Sequence, residues 1–166
     1  QDRAATLKDT LLGHQYIRVD DIDIVELENH SKVSEAVSTA DCIATTTNTS
    51  TPLLTTDLPI PQGCHINGIG SYTLQMTEVG IADQCRVWID TPDARTTVGD
   101  LANLKDNHPV ELLGKLLSGE AKTTEDMTFP FTFYKAVGTA IQDVLTANMV
   151  VQRARELGLG TEVDMS

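Results

Sequence analysis

Basic side chains are scarce in this sequence, and aromatic side chains are scarcer. Lysine and arginine number 12 against 24 aspartates and glutamates, which gives a formal net charge of −12 over 166 residues. Aromatic residues make up 4% of the chain. A surface of this sign repels the phosphates of nucleic acids and of acidic lipids. The composition therefore predicts neither a nucleic acid nor a membrane as a partner.

Long apolar runs and paired cysteines are also missing. No apolar stretch approaches the roughly 18 residues that a membrane-spanning helix requires, and no signal-like segment is recognisable. Cys42, Cys64 and Cys85 lie far apart and form no Cys-x-x-Cys pair, and the four histidines are scattered. Neither a disulfide framework nor a metal site is predicted. We expect buried free thiols, no metal and a cytoplasmic location.

A complete dinucleotide fingerprint is absent after the strand-like stretch that ends near Gly68. Gly68 and Gly70 start a Gly-x-Gly-x-x-Gly pattern, but its third glycine is replaced by Thr73. A glycine at the carboxyl end of a strand allows the backbone to approach a flat ligand closely. The alternative is a tight turn after a buried strand, and the pattern leaves both explanations open.

Strand-like segments recur along the chain. Apolar and β-branched stretches predict strands over residues 22–27, 42–47, 64–70 and 85–90. Pro130 is expected to keep the extended segment around it out of the centre of a sheet, because proline cannot donate to a strand ladder. Asp90, at the end of its strand, is interpreted as a strand-end cap.

Helical periodicity fills the spaces between these segments. The first helix is expected to end at Gly13, the second to be capped by Ser31, and a third to cover residues 100–118. A long last helix is predicted over residues 137–157, with Gly158 as its C-cap. Its buried side is expected to consist of Val137, Ile141, Val144, Leu145 and Met149.

This alternation predicts an α/β fold with a mostly parallel sheet flanked by helices. In such sheets, ligands bind beyond the carboxyl ends of the strands. The candidate functional residues are therefore those that follow strands, namely Thr45 and Thr47, Gly68 to Tyr72, and Asp90.

Four stretches, in matching order, resemble the ornithine cyclodeaminase/mu-crystallin family. The stretches are "STADCIATTTNTSTPLL", "INGIGSYTLQMTEV", "RVWIDTPDARTTVGDL" and "FYKAVGTAIQDVLTANMVVQRARELGLGTEVD". Members of that family are longer, with an amino-terminal domain for dimerisation and substrate binding followed by a Rossmann domain. "DRAATLKDTL" resembles the helix after the second Rossmann strand.

The resemblance implies a Rossmann-like fold that is incomplete at its amino-terminal end. Residues 1–130 would form a partial NAD(P)-binding domain, and residues 131–166 a closing segment with a long helix. The glycine-rich phosphate loop of the family has no counterpart here. Binding of NAD or NADP by this chain is therefore expected to be weak or absent, because that loop anchors the dinucleotide.

The resemblance also implies which residues line the cofactor. They are Thr45, Thr46, Thr47, Gly68, Ile69, Gly70, Ser71, Val137 and Gly138. The catalytic aspartate of the cyclodeaminases corresponds to Tyr72, and the serine of the family's Ser-Val-Gly corresponds to Ala136. Tyrosine cannot serve as a carboxylate base at neutral pH, which disfavours ornithine cyclodeamination. Tyr72 is the candidate catalytic residue, as a polar contact or proton donor; the alternative is a surface aromatic that covers the turn.

For the complete protein, the resemblance implies an NAD(P)-dependent oxidoreductase of the imine reductase or amino-acid dehydrogenase type. Its substrate would be a small imine or amino acid. The alternatives are a non-catalytic protein that binds a nucleotide or small ligand, and an inactive truncated fragment. Whether the chain is itself an enzyme, and whether it forms a homo-oligomer, is left open by the residues.

Overall fold

A computed structural model of the chain describes residues 2–16, 18–121, 128–161 and 163. Contacts divide the chain into two compact units, Gln1–Ala40 with Leu58–Pro61 and Asp41–Asp57 with Gln62–Ser166. The division predicted at residue 130 stays a prediction, and residues 122–127 and 164–166 of its two segments lie outside the described residues.

The described residues of the first unit form two helices. Helix α1 spans Asp2–Leu12 and ends before Gly13, as predicted. Helix α2 spans His30–Ser38, and its N-cap is Asn29 rather than Ser31. The Asn29 Oδ1 accepts a hydrogen bond from the Lys32 backbone N at 3.2 Å, because asparagine caps a helix as well as serine does. The strand predicted over residues 22–27 is wrong, since that segment is irregular.

The described residues of the second unit form a five-stranded parallel sheet. Its strands are β1 (Cys42–Thr45), β2 (His65–Gly68), β3 (Cys85–Ile89), β4 (Val110–Leu112) and β5 (Phe131–Lys135), in the spatial order β1-β2-β5-β3-β4. Ile66, Val87 and Phe133 are fully or almost fully buried in its core. The predicted α/β, Rossmann-like fold with a parallel sheet is confirmed.

The exclusion of the Pro130 segment from the centre of the sheet is wrong. Strand β5 begins immediately after Pro130 and lies between β2 and β3. Proline is tolerated at the start of a strand, where its missing N–H breaks no ladder bond. Its carbonyl is used as well, because the Gly63 backbone N donates to the Pro130 oxygen at 2.7 Å.

The single helix predicted over residues 100–118 is also wrong. Three short helices surround this region, α3 (Ala94–Thr97), α4 (Gly99–Ala102) and α5 (Leu113–Leu117), and strand β4 lies between the last two. Pro109 stands at the start of β4, and a proline inside a helix removes a hydrogen bond and clashes with the preceding turn.

Helix α6 spans Ala140–Leu157 and ends at Gly158, whose φ of 64° is left-handed, as predicted for its C-cap. The predicted buried side is wrong, because Ile141 and Met149 are 65% and 68% exposed and Val144 and Leu145 are exposed too. An apolar helical face is buried only where another surface covers it. In the described part of the chain, α6 and the other helices are too short or too polar to cross a membrane.

Candidate functional site

The carboxyl ends of the five strands lie level. Across the sheet the last residues of neighbouring strands are register partners, in the order Thr45, Gly68, Lys135, Ile89 and Leu112. Since β1, β2 and β5 are neighbours, the loops that follow them leave the sheet side by side. The structure thus brings together the three segments that carry the predicted cofactor residues, 45–47, 68–71 and 137–138.

The predicted residues differ in how much they face solvent. Thr46 and Ile69 are exposed, and the ring of Tyr72 is 58% exposed. Ser71 is fully buried, and its hydroxyl donates to the Met76 carbonyl at 2.5 Å. Contact of these residues with a cofactor stays a prediction, and Thr46 and Ile69 are the side chains most available for it.

The two glycines that begin the fingerprint make room for the protein itself. A Cβ on Gly68 would lie 2.6 Å from the Phe133 ring. A Cβ on Gly70 would lie 2.0 Å from the Thr47 carbonyl oxygen and 2.5 Å from Glu78 Oε1. The close approach that glycine permits here is therefore an approach to the protein itself, to a β5 side chain at Gly68 and to the loop after β1 at Gly70. This packing explains both glycines without a ligand.

The carboxylate of Glu78 lies at the centre of this edge and is fully buried. Its Oε1 accepts hydrogen bonds from the backbone N and the hydroxyl of Thr47, the latter at 2.8 Å. Its Oε2 accepts from the Thr45 hydroxyl at 2.9 Å and from the backbone N of Gly70 and Ser71 at 3.0 and 3.2 Å. Five donors from two loops thus converge on one side chain.

These hydrogen bonds determine the charge of Glu78. Burial raises the pKa of the carboxyl group, but the hydrogen bonds from Thr47, Thr45 and Ser71 together outweigh burial and lower the pKa below 4.5. Donors that point at a carboxylate stabilise its ionised form. Glu78 is therefore an anion at neutral pH.

The stabilisation from Glu78 is expected to disappear in acid. Because the pKa in the folded state is lowered, the contribution is complete above pH 4.5 and is lost as the pH falls through the lowered value. The free energy of unfolding, measured by urea titration from neutral pH into this acid range, should fall more steeply in the native chain than in the Glu78→Gln variant. Equal slopes for the two proteins would contradict this assignment.

A second buried carboxylate, that of Asp100, binds the backbone of Glu78. Asp100 Oδ1 accepts hydrogen bonds from the backbone N of Glu78 and Val79 at 2.6 and 2.9 Å. Its Oδ2 lies 3.1 Å from the Nζ of Lys135, and both side chains are fully buried. This ion pair connects the Glu78 segment to the last residue of β5.

Asp90 holds the third loop. Its Oδ2 accepts hydrogen bonds from the backbone N of Val137 and Gly138, both at 2.9 Å, as expected for a strand-end cap. Gly138 has a φ of 78°, a conformation that favours glycine. Tyr134 lies near this carboxylate; burial and the charge of Asp90 raise the pKa of its phenol.

The cysteines are not part of this edge. Cys64 and Cys85 are buried as expected, whereas Cys42, on the edge strand β1, is exposed. Burial, together with Asp83 and Cys64, raises the pKa of Cys85 to about 12, so its thiol stays protonated and unreactive. In the described part of the chain, no three histidine, cysteine or acidic side chains could bind a metal together.

Sequence reasoning missed Glu78, Asp100 and Lys135. Each belongs to a stretch that was assigned to the family or to an element, but no local pattern distinguishes them from solvated charges. The available signals were a lysine at the end of the apolar segment "FTFYK" and a glutamate that follows Met76 by two positions and directly precedes Val79, because charged residues in apolar surroundings are usually paired.

Comparison with known proteins decides the family. The model of the ornithine cyclodeaminase/mu-crystallin family matches residues 15–158. The chain belongs to this family. Among similar proteins, a Δ1-pyrroline-2-carboxylate reductase of Bacillus cereus is 33% identical over an alignment of 145 residues that covers 81% of this chain and 44% of that protein. An ornithine cyclodeaminase of Agrobacterium tumefaciens is 30% identical over an alignment of 146 residues that covers 86% of this chain and 40% of that protein.

Solved structures of similar proteins share the fold. The Δ1-pyrroline-2-carboxylate reductase of Thermococcus litoralis, in complex with NADH and L-proline, superposes with a TM-score of 0.69 at 24% identity. The match covers 82% of this chain and 48% of the reductase chain. An archaeal alanine dehydrogenase dimer with bound NAD has a TM-score of 0.75 at 20% identity, and the match covers 100% of this chain and 51% of the dehydrogenase chain. The chain thus spans about half the length of these family members or less.

Proposed function

We propose that this chain forms the nicotinamide side of an NAD(P) site in an oxidoreductase of the ornithine cyclodeaminase/mu-crystallin family. The observation that carries the proposal is the level carboxyl edge, at which the loops after β1, β2 and β5 lie side by side. Ligands of parallel α/β sheets bind beyond this edge. Relatives with the same fold contain bound NADH or NAD, which supports the same class of cofactor here.

The proposed reaction is hydride transfer between NAD(P) and a small imine or amino acid. A reductase of a cyclic imino acid is among the relatives at 33% identity, so Δ1-pyrroline-2-carboxylate is the first substrate to test. Tyr72 stands where the cyclodeaminases of the family carry their aspartate, and its exposed ring can reach a bound substrate as a polar contact or proton donor. Cyclodeamination of ornithine is not proposed, because a phenol cannot replace a carboxylate base.

A non-catalytic binding protein is the second candidate, and the same observation at Tyr72 favours it. Without the aspartate, the site keeps the loops that would hold a nucleotide but has no carboxylate at that position. The two candidates differ in turnover and not in binding.

Several broader features belong to the proposal as well. A cytoplasmic location is supported by three free thiols, and the acidic surface disfavours nucleic acids and membranes as partners. The exposed apolar residues of α6 support a homo-oligomer, because exposed apolar surface promotes association. Residues 1–130 and 131–166 are proposed as the nucleotide-binding part and the closing part of the chain.

Titration with NADH and with reduced nicotinamide mononucleotide tests the proposed site directly. The chain contains no complete Gly-x-Gly-x-x-Gly loop, and such a loop anchors the pyrophosphate. We therefore expect weak binding of both compounds with similar dissociation constants. Amide resonances of residues 45–47, 68–71 and 137–138 should shift in an NMR titration, whereas those of Lys105 to His108 should not.

The outcomes separate the candidates. Oxidation of NADH upon addition of Δ1-pyrroline-2-carboxylate would support the oxidoreductase, and binding without turnover would support the binding protein. NADPH in place of NADH establishes which cofactor is preferred. Shifts confined to other parts of the chain, or no shifts at saturating ligand, would overturn the proposed site.

A further inference from the structure

We propose that Glu78 is the positioning residue of the nucleotide site, because its carboxylate fixes the loops after β1 and β2 relative to each other. This inference rests on the proposed function for its biological meaning, but its structural part can be tested without any cofactor. Glu78 touches neither cofactor nor substrate in this proposal; it acts through Thr47, Gly70 and Ser71.

The ladder between β1 and β2 ends where the Glu78 contacts begin. The last register pair is Thr45 with Gly68, and the Thr45 carbonyl then accepts hydrogen bonds from the backbone N of Ile69 and Gly70 at 2.9 and 3.3 Å. Beyond that point the Glu78 carboxylate joins the two loops, with Thr47 on Oε1 and Gly70 and Ser71 on Oε2. The next direct hydrogen bond between the loops runs from the Thr77 backbone N to the Thr49 carbonyl at 3.0 Å. Between Thr45 and Thr49, one side chain thus takes the place of direct hydrogen bonds between the two backbones.

The backbone of Glu78 is itself held on both sides. Its N–H donates to Asp100 Oδ1 at 2.6 Å, and its carbonyl accepts from the backbone N of Leu53 and Leu54 at 2.8 and 3.0 Å. Asp100 is paired with Lys135 at the end of β5. The position of the carboxylate is therefore set by the sheet and by the loop at 53–54, and the two strand-end loops adjust to it.

The third loop of the site is held independently. Asp90 accepts hydrogen bonds from the backbone N–H groups of Val137 and Gly138, and among the described residues it shares no hydrogen-bond donor with Glu78. If each carboxylate positions its own loops, removing one should release only the amides bound to it. A residue that merely stabilises the fold would instead affect the whole sheet.

Replacing the carboxylate with an amide distinguishes a positioning role from a general stabilisation of the fold. Glutamine has nearly the same shape as glutamate, but its NH₂ group donates and would face N–H and O–H donors of the loops. In Glu78→Gln we expect hydrogen-exchange protection of Thr47 and Ser71 to fall by roughly ten- to a hundredfold, since a hydrogen bond to a charged group contributes about 1.5–3 kcal/mol. Protection of Gly70 should fall by less, because its N–H also donates to the Thr45 carbonyl. Protection of Val137 and Gly138 should stay unchanged.

Two matched variants complete the experiment. Asp90→Asn should produce the converse pattern, with protection lost at Val137 and Gly138 and retained at Thr47, Gly70 and Ser71. Glu111→Gln removes a carboxylate that pairs with Arg86 on the same sheet, and should leave all five amides protected. Uniform loss of protection in Glu78→Gln, or none at the three amides, would overturn the positioning role.

A measurement on the native chain keeps the inference testable if Glu78→Gln does not fold. The amide proton shifts of Thr47, Gly70 and Ser71 should follow one shared titration, because a single group carries the charge that all three amides sense. Three different midpoints, or no titration before acid unfolding, would overturn the inference.

Titration of the variants with NADH separates this inference from the proposed function. If both the proposed function and the positioning role hold, the Glu78→Gln chain should bind NADH at least about tenfold more weakly than the native chain, because the loss of one loop contact of about 1.4 kcal/mol corresponds to a tenfold change. The Glu111→Gln chain should bind NADH as the native chain does. If the native chain binds no NADH while the amides respond as described, the proposed function fails and the positioning role stands. If NADH binds equally well to the native and Glu78→Gln chains, the positioning role fails alone.

Discussion

Replacement of Lys135 by methionine is expected to lower the free energy of unfolding by about 3–5 kcal/mol, the cost typical of leaving a buried charge without its partner. The Nζ of Lys135 lies 3.1 Å from Asp100 Oδ2, and both side chains are fully buried. Methionine retains most of the apolar stem but leaves the Asp100 carboxylate uncompensated. Domains of this kind have total stabilities of about 5–15 kcal/mol, so urea unfolding should show a large shift of the midpoint.

Two further variants identify the cause of that loss. Arg153→Met removes the basic partner of an exposed pair with Glu156 and should cost about 1 kcal/mol or less. Combining Lys135→Met with Asp100→Asn should recover part of the lost stability. Asparagine keeps an Oδ1 for the backbone N of Glu78 and Val79 and carries no charge. A double variant as unstable as the sum of the single variants would contradict the charge argument.

Replacement of Gly70 by alanine is the second large effect that we expect. The added Cβ would lie 2.0 Å from the Thr47 carbonyl oxygen and 2.3 Å from the Thr47 backbone N. These are backbone atoms, so the two loops must separate, and the hydrogen bonds to Glu78 must stretch with them. Overpacking costs about 1–3 kcal/mol, and occasionally more, and we expect the upper end of that range in thermal or urea unfolding.

Gly114→Ala provides the matched control. Gly114 lies in α5, and a Cβ there would meet no atom within 4 Å. Alanine should be neutral or stabilise the chain by up to about 1 kcal/mol, because glycine is a poor helix former. Equal destabilisation by the two substitutions would show that the contact with Thr47 is not the cause.

The parts of the fold that local patterns specify were predictable from the sequence. Strands β1, β2 and β3 coincide with short apolar, β-branched segments, and Gly13 and Gly158 end their helices where expected. Pro109 and Pro130 show where the local rules were applied too broadly. Proline excludes the interior of an element but permits its first positions, so one predicted helix is in fact a strand between short helices, and β5 is central.

Interactions between distant residues account for what could not be predicted. Glu78 contacts Thr47 across 31 positions of the chain, and Asp100 meets Lys135 across a comparable gap. No periodicity or spacing encodes such a pair. The exposure of α6 could not be predicted either, because an apolar helical face predicts burial only if a partner surface is present, and no local pattern shows whether one is. The strand-end location of the predicted cofactor residues followed from the fold class, and their contact with a cofactor awaits the titration.

At this edge of the sheet, carboxylates hold peptide N–H groups in each of the three loops. A peptide N–H is supplied by every residue except proline, so the shape of these loops is largely independent of the side chains they display. Thr46 and Ile69 point to solvent from a backbone whose course is fixed elsewhere. If these side chains contact the cofactor as proposed, substitutions at such positions would alter ligand preference while the scaffold beneath them stays intact. Ligand preference and folding would then depend on different residues, so that one could diversify during evolution without loss of the other.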